Sequence, residues 1–202
     1  VGPTVNDLPP QVRARLQERG STRQYRLGEE VQRQQVVSSG AAWVQAGRLR
    51  SVIYLGDGEE QLVGWIMPGE LVGVYNLLLP GDVPSPVTLR ADTDAVSLLH
   101  FSRDLLLETM REWPDARVGI AMGLSRRILQ LHDIIDISGP RPLQDKLRAV
   151  LAWWAHQYAI PARDGSIELW VSQADLANAV GASRQRVHME LKQLQAEGCV
   201  EL

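Results

Sequence analysis

The stretch that decides the fold runs from Ser172 to Leu194 and reads Ser-Gln-Ala-Asp-Leu-Ala-Asn-Ala-Val-Gly-Ala-Ser-Arg-Gln-Arg-Val-His-Met-Glu-Leu-Lys-Gln-Leu. Two helical apolar patterns flank Gly181, which can supply the positive φ that a tight turn requires. Ser172 and Ser183 each precede one of these patterns, where a serine side chain can cap the first turn of a helix. The segment therefore predicts a helix-turn-helix, whose second helix can enter the major groove of DNA.

The second predicted helix begins with polar side chains that suit base reading. An arginine can bond guanine through O6 and N7, and a glutamine can bond adenine through N6 and N7. Hydroxyl groups at the caps and a lysine further along suit phosphate contacts. The candidate DNA-binding residues are Ser172, Ser183, Arg184, Gln185, Arg186, His188 and Lys192. The alternative for this segment is a structural helical hairpin with solvated charges.

Composition limits the classes of protein that fit. The apolar fraction of 45% and the charged fraction of 22% are ordinary globular values and exclude wholesale disorder. The formal net charge is −3, whereas nucleic-acid-binding domains are usually basic. The indication that this chain binds nucleic acid therefore comes from the local motif and not from the overall charge. The sequence has no apolar run of membrane-spanning length and no signal-peptide pattern at its start. We therefore expect a cytoplasmic protein without a membrane partner.

Upstream of this segment, a long helix is predicted from Pro114 to Ile137. Five apolar residues recur at spacings of three and four, which is typical of a dimerising seam: Ala121, Leu124, Ile128, Leu131 and Ile135. Met122, Leu129 and Ile134 lie off this seam and are expected to form the intramolecular face. The alternative is that the seam residues pack on the β domain of the same chain.

Further upstream, short apolar runs alternate with glycines and acidic turns from Arg23 to Ser102, which indicates an antiparallel barrel or sandwich. A short helix is predicted from Pro9 to Arg19. The predicted fold class is α+β, with an N-terminal antiparallel β-roll of the jelly-roll type, a long dimerisation helix and a C-terminal winged helix-turn-helix. The corresponding domains are residues 1–110, 111–138 and 139–202.

With these elements in this order, the chain resembles the Crp/Fnr family of bacterial transcription regulators. Three segments carry the resemblance most specifically: Val171–Val187, Glu190–Gly198 and Pro68–Gly73. Arg126-Arg127 on the long helix also matches. The resemblance implies a cyclic-nucleotide-binding-like roll and a homodimer that binds promoter DNA as a transcription regulator, with RNA polymerase as a further partner.

The resemblance breaks down at the positions that bind cyclic nucleotides in the family. Val74 stands where the family has a glutamate that takes the ribose hydroxyl, and Ser85 and Pro86 stand where it has Arg-Ser. Neither valine nor serine can replace a charged partner. The hydroxyl pair that meets the base falls at Leu131-His132. We therefore expect no binding of cyclic AMP, and the effector-pocket residues carried over from the family are Val74, Tyr75, Ser85, Val87, Leu131 and His132.

Other cofactors of the family are also unexpected here. The single cysteine, Cys199, cannot hold an iron–sulfur cluster alone. Haem needs an axial ligand, and only His100 and His132 lie in the roll or on the long helix; a lone histidine is more often structural. The sequence predicts no metal site. Two possibilities therefore stay open for the roll: it binds a small organic effector, or it binds no effector.

The second helix of the motif departs from the family as well. Gln185 replaces the usual glutamate, and Met189 stands where many members have a base-reading arginine. We therefore expect altered specificity, with Gln185 and His188 as its sources. The family's wing would follow Val200, but the sequence ends at Leu202, so the wing is expected to be disordered or removed.

Two other classes of protein are compatible with parts of this sequence. The β zone could close into a cupin-like barrel that acts as a small-molecule-binding protein or enzyme, with the helices as an interaction module. Metal cupins need several histidines, whereas residues 23–102 contain only His100, so we expect no enzyme. The other class is an architectural module without an effector.

Overall fold

The structure is a computed structural model that describes residues 2–38, 40–56, 58–161 and 166–202. Its contacts divide the chain into two units, residues 1–131 and 132–202, which places the boundary inside the long helix.

The first unit contains most of the secondary structure. Its helices are a 3-10 turn at Val5–Asp7, α1 at Pro10–Arg19, α2 at Val74–Leu78, α3 at Arg103–Glu112 and the start of α4, which spans Asp115–Ser138. Its strands are β1 at Ser21–Arg26, β2 at Glu30–Gln32, β3 at Gly40–Ala46, β4 at Leu49–Tyr54, β5 at Glu60–Ile66, β6 at Leu71–Val72, β7 at Thr88–Ala91 and β8 at Ala95–Ser102.

In the described part of this unit the strands form two antiparallel sheets, ordered β1-β8-β3-β6 and β2-β7-β4-β5. Inward-facing side chains of both sheets make a common core that includes Val44, Leu49 and Leu98. Alternate residues of a strand face opposite sides of the sheet, so Leu49 and Ser51 of β4 are buried whereas Arg50 between them is only half-buried. The predicted antiparallel β-roll is confirmed.

A second core joins the helices to the roll. Leu16 of α1, Leu106 of α3 and Ile120 of α4 are buried in it together with Phe101 of β8. Helix α3 is absent from the sequence-based prediction. A local signal for it exists, because Ser102 caps the helix by accepting a hydrogen bond from the Leu105 amide (3.2 Å).

The segment before α1 crosses helix α4 at close range. A Cβ atom at Gly119 would lie 1.9 Å from the Asp7 carbonyl oxygen, and one at Gly123 would lie 2.3 Å from the Pro3 Cα. Only glycine fits at these two positions. The same segment also bonds to the roll, since the Leu71 amide donates to the Pro3 carbonyl (2.8 Å).

The second unit contains the end of α4, α5 at Leu143–Tyr158, β9 at Ile160–Pro161, β10 at Ile167–Glu168, α6 at Gln173–Val180 and α7 at Arg184–Ala196. Helices α5, α6 and α7 pack on one another and bury Leu147, Leu176 and Leu191. Strands β9 and β10 pair antiparallel. No helix among the described residues is both long enough and apolar enough to cross a membrane.

Candidate nucleic-acid interface

The turn between α6 and α7 is built from local signals. Gly181 ends α6 in the left-handed conformation, with φ of 65°, and its amide donates to the Ala177 carbonyl. Ser183 caps α7, because its Oγ accepts a hydrogen bond from the Arg186 amide (3.4 Å). Together the two caps fix the sharp turn between α6 and α7, as the sequence predicts.

Ser172, a predicted phosphate contact, caps helix α6. The hydroxyl donates to the Asp175 carboxylate (2.8 Å), while its oxygen accepts from the Asp175 amide (3.1 Å). This reciprocal capping box occupies the hydroxyl hydrogen. The capping role of Ser172 is confirmed, and its contact with phosphate stays a prediction.

Helix α7 has one buried face and one exposed face. Val187, Leu191 and Leu194 are buried. The remaining candidates from the sequence, Ser183, Arg184, Gln185, Arg186, His188 and Lys192, are all exposed. The centre of the exposed face, opposite the buried residues, is formed by Gln185, Met189 and Lys192.

His188 lies at the flank of this face that is nearer to α6. Its Nδ1 is 3.3 Å from Oε1 of Gln173, which joins the first residue of α6 to the first turns of α7. Gln173 is exposed and was missed by the sequence analysis. Its position at the first turn of a helix, where backbone N–H groups are unpaired, is the signal that could have marked it as a candidate for phosphate binding.

Helix α4 exposes an apolar face whose register differs in part from the predicted seam. Ala121, Ile128, Leu131 and Ile135 are exposed, as a seam requires. Leu124 instead packs against the core of its own unit. Met122 and Leu129, expected on the intramolecular face, are 54% and 65% exposed, so that prediction is wrong for both.

The reason lies in the glycines of α4. Gly119 and Gly123 are the positions at which the N-terminal segment touches the helix. They fix the inward face, and Met122 and Leu129 are turned away from it by roughly 80–100° around the helix. Ile134 is half-buried.

The predicted effector-pocket residues differ in burial and in their bonds. Ser85 is buried, and its hydroxyl donates to the Val87 carbonyl (2.6 Å) while accepting from the Val87 amide (3.2 Å) and from Gln32 Nε2. Val74 is buried in the hydrophobic core. Tyr75 is half-buried, and Leu131 and His132 are exposed on α4.

The loop between β2 and β3 also contacts the Ser85 position. The Gln35 amide donates to the Ser85 carbonyl (2.7 Å), and the Ser85 amide donates to the Val36 carbonyl (3.0 Å). The residue that stands at the family's phosphate position therefore has its hydroxyl, amide and carbonyl all bonded within the roll.

His100 pairs with a buried tyrosine. Its Nε2 lies 2.8 Å from the Tyr25 hydroxyl. Burial lowers the pKa of His100, and Arg23 nearby lowers it further. Burial likewise raises the pKa of Tyr25. Within the described residues no group of three or more His, Cys, Asp or Glu side chains is placed to hold a metal ion.

Both units match the models of known protein domains. The model described as "Cyclic nucleotide-binding domain" matches residues 22–112, and the model described as "Crp-like helix-turn-helix domain" matches residues 145–202. The chain resembles a global nitrogen regulator of Synechocystis sp., with 28% identity over 131 residues, 64% of this chain and 58% of the relative. It also resembles the nitrogen fixation regulation protein FixK of Bradyrhizobium diazoefficiens, with 23% identity over 87% of this chain and 72% of the relative.

Solved structures share the fold. The c-di-GMP-responsive global regulator CLP of Xanthomonas campestris has a TM-score of 0.81 and 23% identity, covering 96% of this chain and 95% of that one. FixK2 of Bradyrhizobium japonicum has a TM-score of 0.75 and 19% identity, covering 91% and 88%. The relatives are regulators, which agrees with the prediction that the chain is not an enzyme. With the roll and the helix-turn-helix domain each matched in their expected order, the chain belongs to the Crp/Fnr family of transcription regulators.

Proposed function

We propose that the chain acts as a homodimeric regulator that binds palindromic promoter sites. The observation that carries this proposal is the exposed surface of α7, where Gln185 and Lys192 lie opposite the buried apolar face and Arg184 is exposed at the first residue of the helix. Such a helix suits insertion into the major groove, with arginine and glutamine reading bases and lysine holding a phosphate.

The apolar face of α4 supports the homodimer. Ile128, Leu131 and Ile135 are exposed at 56%, 42% and 69% on one side of this helix, and neighbouring exposed apolar side chains are typical of a surface that binds another protein. A two-fold axis through this face would present two copies of α7, so the site would be a palindrome with half-sites about one helical turn of DNA apart. The partners are promoter DNA, a second copy of the chain and RNA polymerase, all in the cytoplasm.

The roll is proposed to respond to a small organic effector other than a cyclic nucleotide, or to none. The bonds of Ser85 to Gln32 and Val87 support this, because the side chain at the family's phosphate position is a neutral hydroxyl that is already bonded to neutral groups. The burial of Val74 in the core supports it as well, since an apolar core residue stands where the family has the glutamate that takes the ribose hydroxyl. Cyclic AMP, an iron–sulfur cluster and haem are accordingly not proposed as cofactors.

A binding-site selection from random duplex DNA with the full chain tests this function. We expect one palindromic motif, confirmed by footprinting at natural promoters that carry it. Recovery of random sequence would refute the proposal and favour an architectural module. Denaturing mass spectrometry of the purified protein would detect an effector that co-purifies with it. A thermal-shift screen of metabolites would detect an added effector, because a ligand at a hundredfold excess over Kd raises the free energy of unfolding by about 2.7 kcal/mol.

A further inference from the structure

Met189 lies at the centre of the exposed face of α7. Its side chain is 65% exposed, although methionine usually packs in a core. The buried side of the same helix is complete without it, because Val187, Leu191 and Leu194 already fill the contact with the rest of the domain. Met189 therefore contributes nothing to the core that these three residues form.

The neighbours of Met189 define a small reading surface. Gln185 precedes it by four residues, so the two side chains lie roughly 40° apart around the helix and adjoin one turn apart. His188 is held at the flank by Gln173 of α6. Gln185 and Met189 are therefore the pair that would face the floor of a groove into which α7 inserts.

The chemistry of the methionine side chain restricts which base it can face. Its thioether has no donor, so it cannot bond the O6 and N7 acceptors of guanine. Covering a polar base edge with an apolar group costs free energy because the polar atoms lose water. Among the base edges of the major groove, the C5-methyl of thymine is the apolar one.

We propose that Met189 contacts the C5-methyl of a thymine in each half-site, while Gln185 bonds an adenine in a neighbouring base pair. This inference rests on the DNA-binding function proposed above and specifies its sequence preference. It predicts A·T pairs at the two positions that Gln185 and Met189 face.

The test removes a single methyl group from the DNA. After selection of the motif with the full chain, each thymine of one half-site is replaced in turn by deoxyuridine, which lacks the C5-methyl and keeps every hydrogen-bonding group. We expect one replacement to weaken binding about fourfold, equivalent to about 0.8 kcal/mol for one methyl group. The same replacement should leave the Kd of the Met189→Ala variant unchanged.

Two controls make the result specific to Met189. The Gln193→Ala variant also loses an exposed side chain of α7, and it should retain the response to deoxyuridine. The Met189→Leu variant keeps an apolar side chain and should retain the response too. A cytosine placed at the critical thymine should bind the wild-type chain weakly, and 5-methylcytosine should restore part of the affinity.

The two proposals fail in different ways. If a motif is recovered but every deoxyuridine replacement affects wild type and Met189→Ala equally, the methyl contact is refuted and the DNA-binding function stands. A motif with G·C at the position facing residue 189 would refute it in the same way. If no motif is recovered at all, the DNA-binding function is refuted and the methyl contact with it.

Discussion

The Arg126 guanidinium on helix α4 binds the carboxylate of Asp7, which belongs to the segment that precedes α1. The same carboxylate oxygen accepts hydrogen bonds from the amide and the hydroxyl of Thr4, both at 2.9 Å. One side chain thus caps a 3-10 turn and anchors it to α4. Both partners are partly buried, so this pair is screened less than a fully exposed one.

Gly119→Ala tests the close approach of this segment. In an exposed helix the change would stabilise by up to about 1 kcal/mol. Here the new Cβ would meet the Asp7 carbonyl, so we expect a loss of about 1–3 kcal/mol in the free energy of unfolding, measured with urea. Ser125→Ala, on the exposed side of the same helix, should stay within about 0.5 kcal/mol of wild type. A stabilised Gly119→Ala protein would contradict the observed approach.

Ile128→Asp tests the dimer. If the apolar face of α4 is covered by a second copy, the substitution buries a charge without a partner and costs several kcal/mol of association free energy. Sedimentation equilibrium should then show a monomer with wild-type circular dichroism. Leu27→Asp is the matched control, since Leu27 is also exposed and lies outside α4. An undiminished dimer of Ile128→Asp would show that this face is not the interface.

Arg184→Ala and Lys192→Ala should affect DNA binding differently. If Arg184 bonds guanine, its loss costs about 1–3 kcal/mol on the selected site and relaxes the preference at one base pair. Loss of Lys192 should weaken selected and random DNA alike and reduce the salt dependence by about one unit. Selection with the Arg184→Ala protein decides between these roles. An unchanged motif with uniformly lower affinity would assign Arg184 to a phosphate.

Calorimetry with cyclic AMP and cyclic GMP tests the roll. We expect no heat of binding at micromolar concentrations of either nucleotide, because Ser85 and Val74 replace the charged groups that would hold phosphate and ribose. The cyclic AMP receptor, measured in parallel, serves as the positive control. Stoichiometric binding by this chain would require another cation at the phosphate position.

The pair of His100 and Tyr25 predicts a pH dependence of stability. The folded state lowers the pKa of His100, chiefly by burial, so the unfolded chain takes up a proton more readily. The resulting stabilisation is present above the unfolded pKa of about 6.5 and is lost as pH falls through the lowered pKa of the folded state. Urea unfolding at pH 7.5 and 5.5 should therefore show a larger loss for wild type than for His100→Gln. His132→Gln, which removes an exposed histidine, is the control.

The sequence predicted the helix-turn-helix well because its signals are local. Ser172, Gly181 and Ser183 act on their own neighbours within a few residues, and each has the predicted role in the structure. The register of α4 was predicted less well. Spacings of three and four fit more than one stripe on a helix, and the inward face is chosen by a long-range contact at Gly119 and Gly123. Those two glycines, four residues apart in the sequence, were the available signal for that contact.

The roll shows the same limit of local patterns. Its strands could be predicted from alternating apolar residues, but not the bond from Gln32 to Ser85, which joins residues 53 apart in the chain. Comparison with a family pattern identified Ser85 as a changed residue. Only the fold shows that Gln32, Gln35 and Val36 are bonded to it.

The N-terminal segment has a consequence for association between molecules. Strand β6 is the outermost strand of its sheet, and the segment covers that edge through a bridge between Thr4 and Glu70 and through the bond from the Leu71 amide to Pro3. An uncovered edge is a template for strand pairing with another chain. A chain lacking residues 2–8 would expose this edge beside buried apolar side chains, so its defect would increase with protein concentration and end in aggregation.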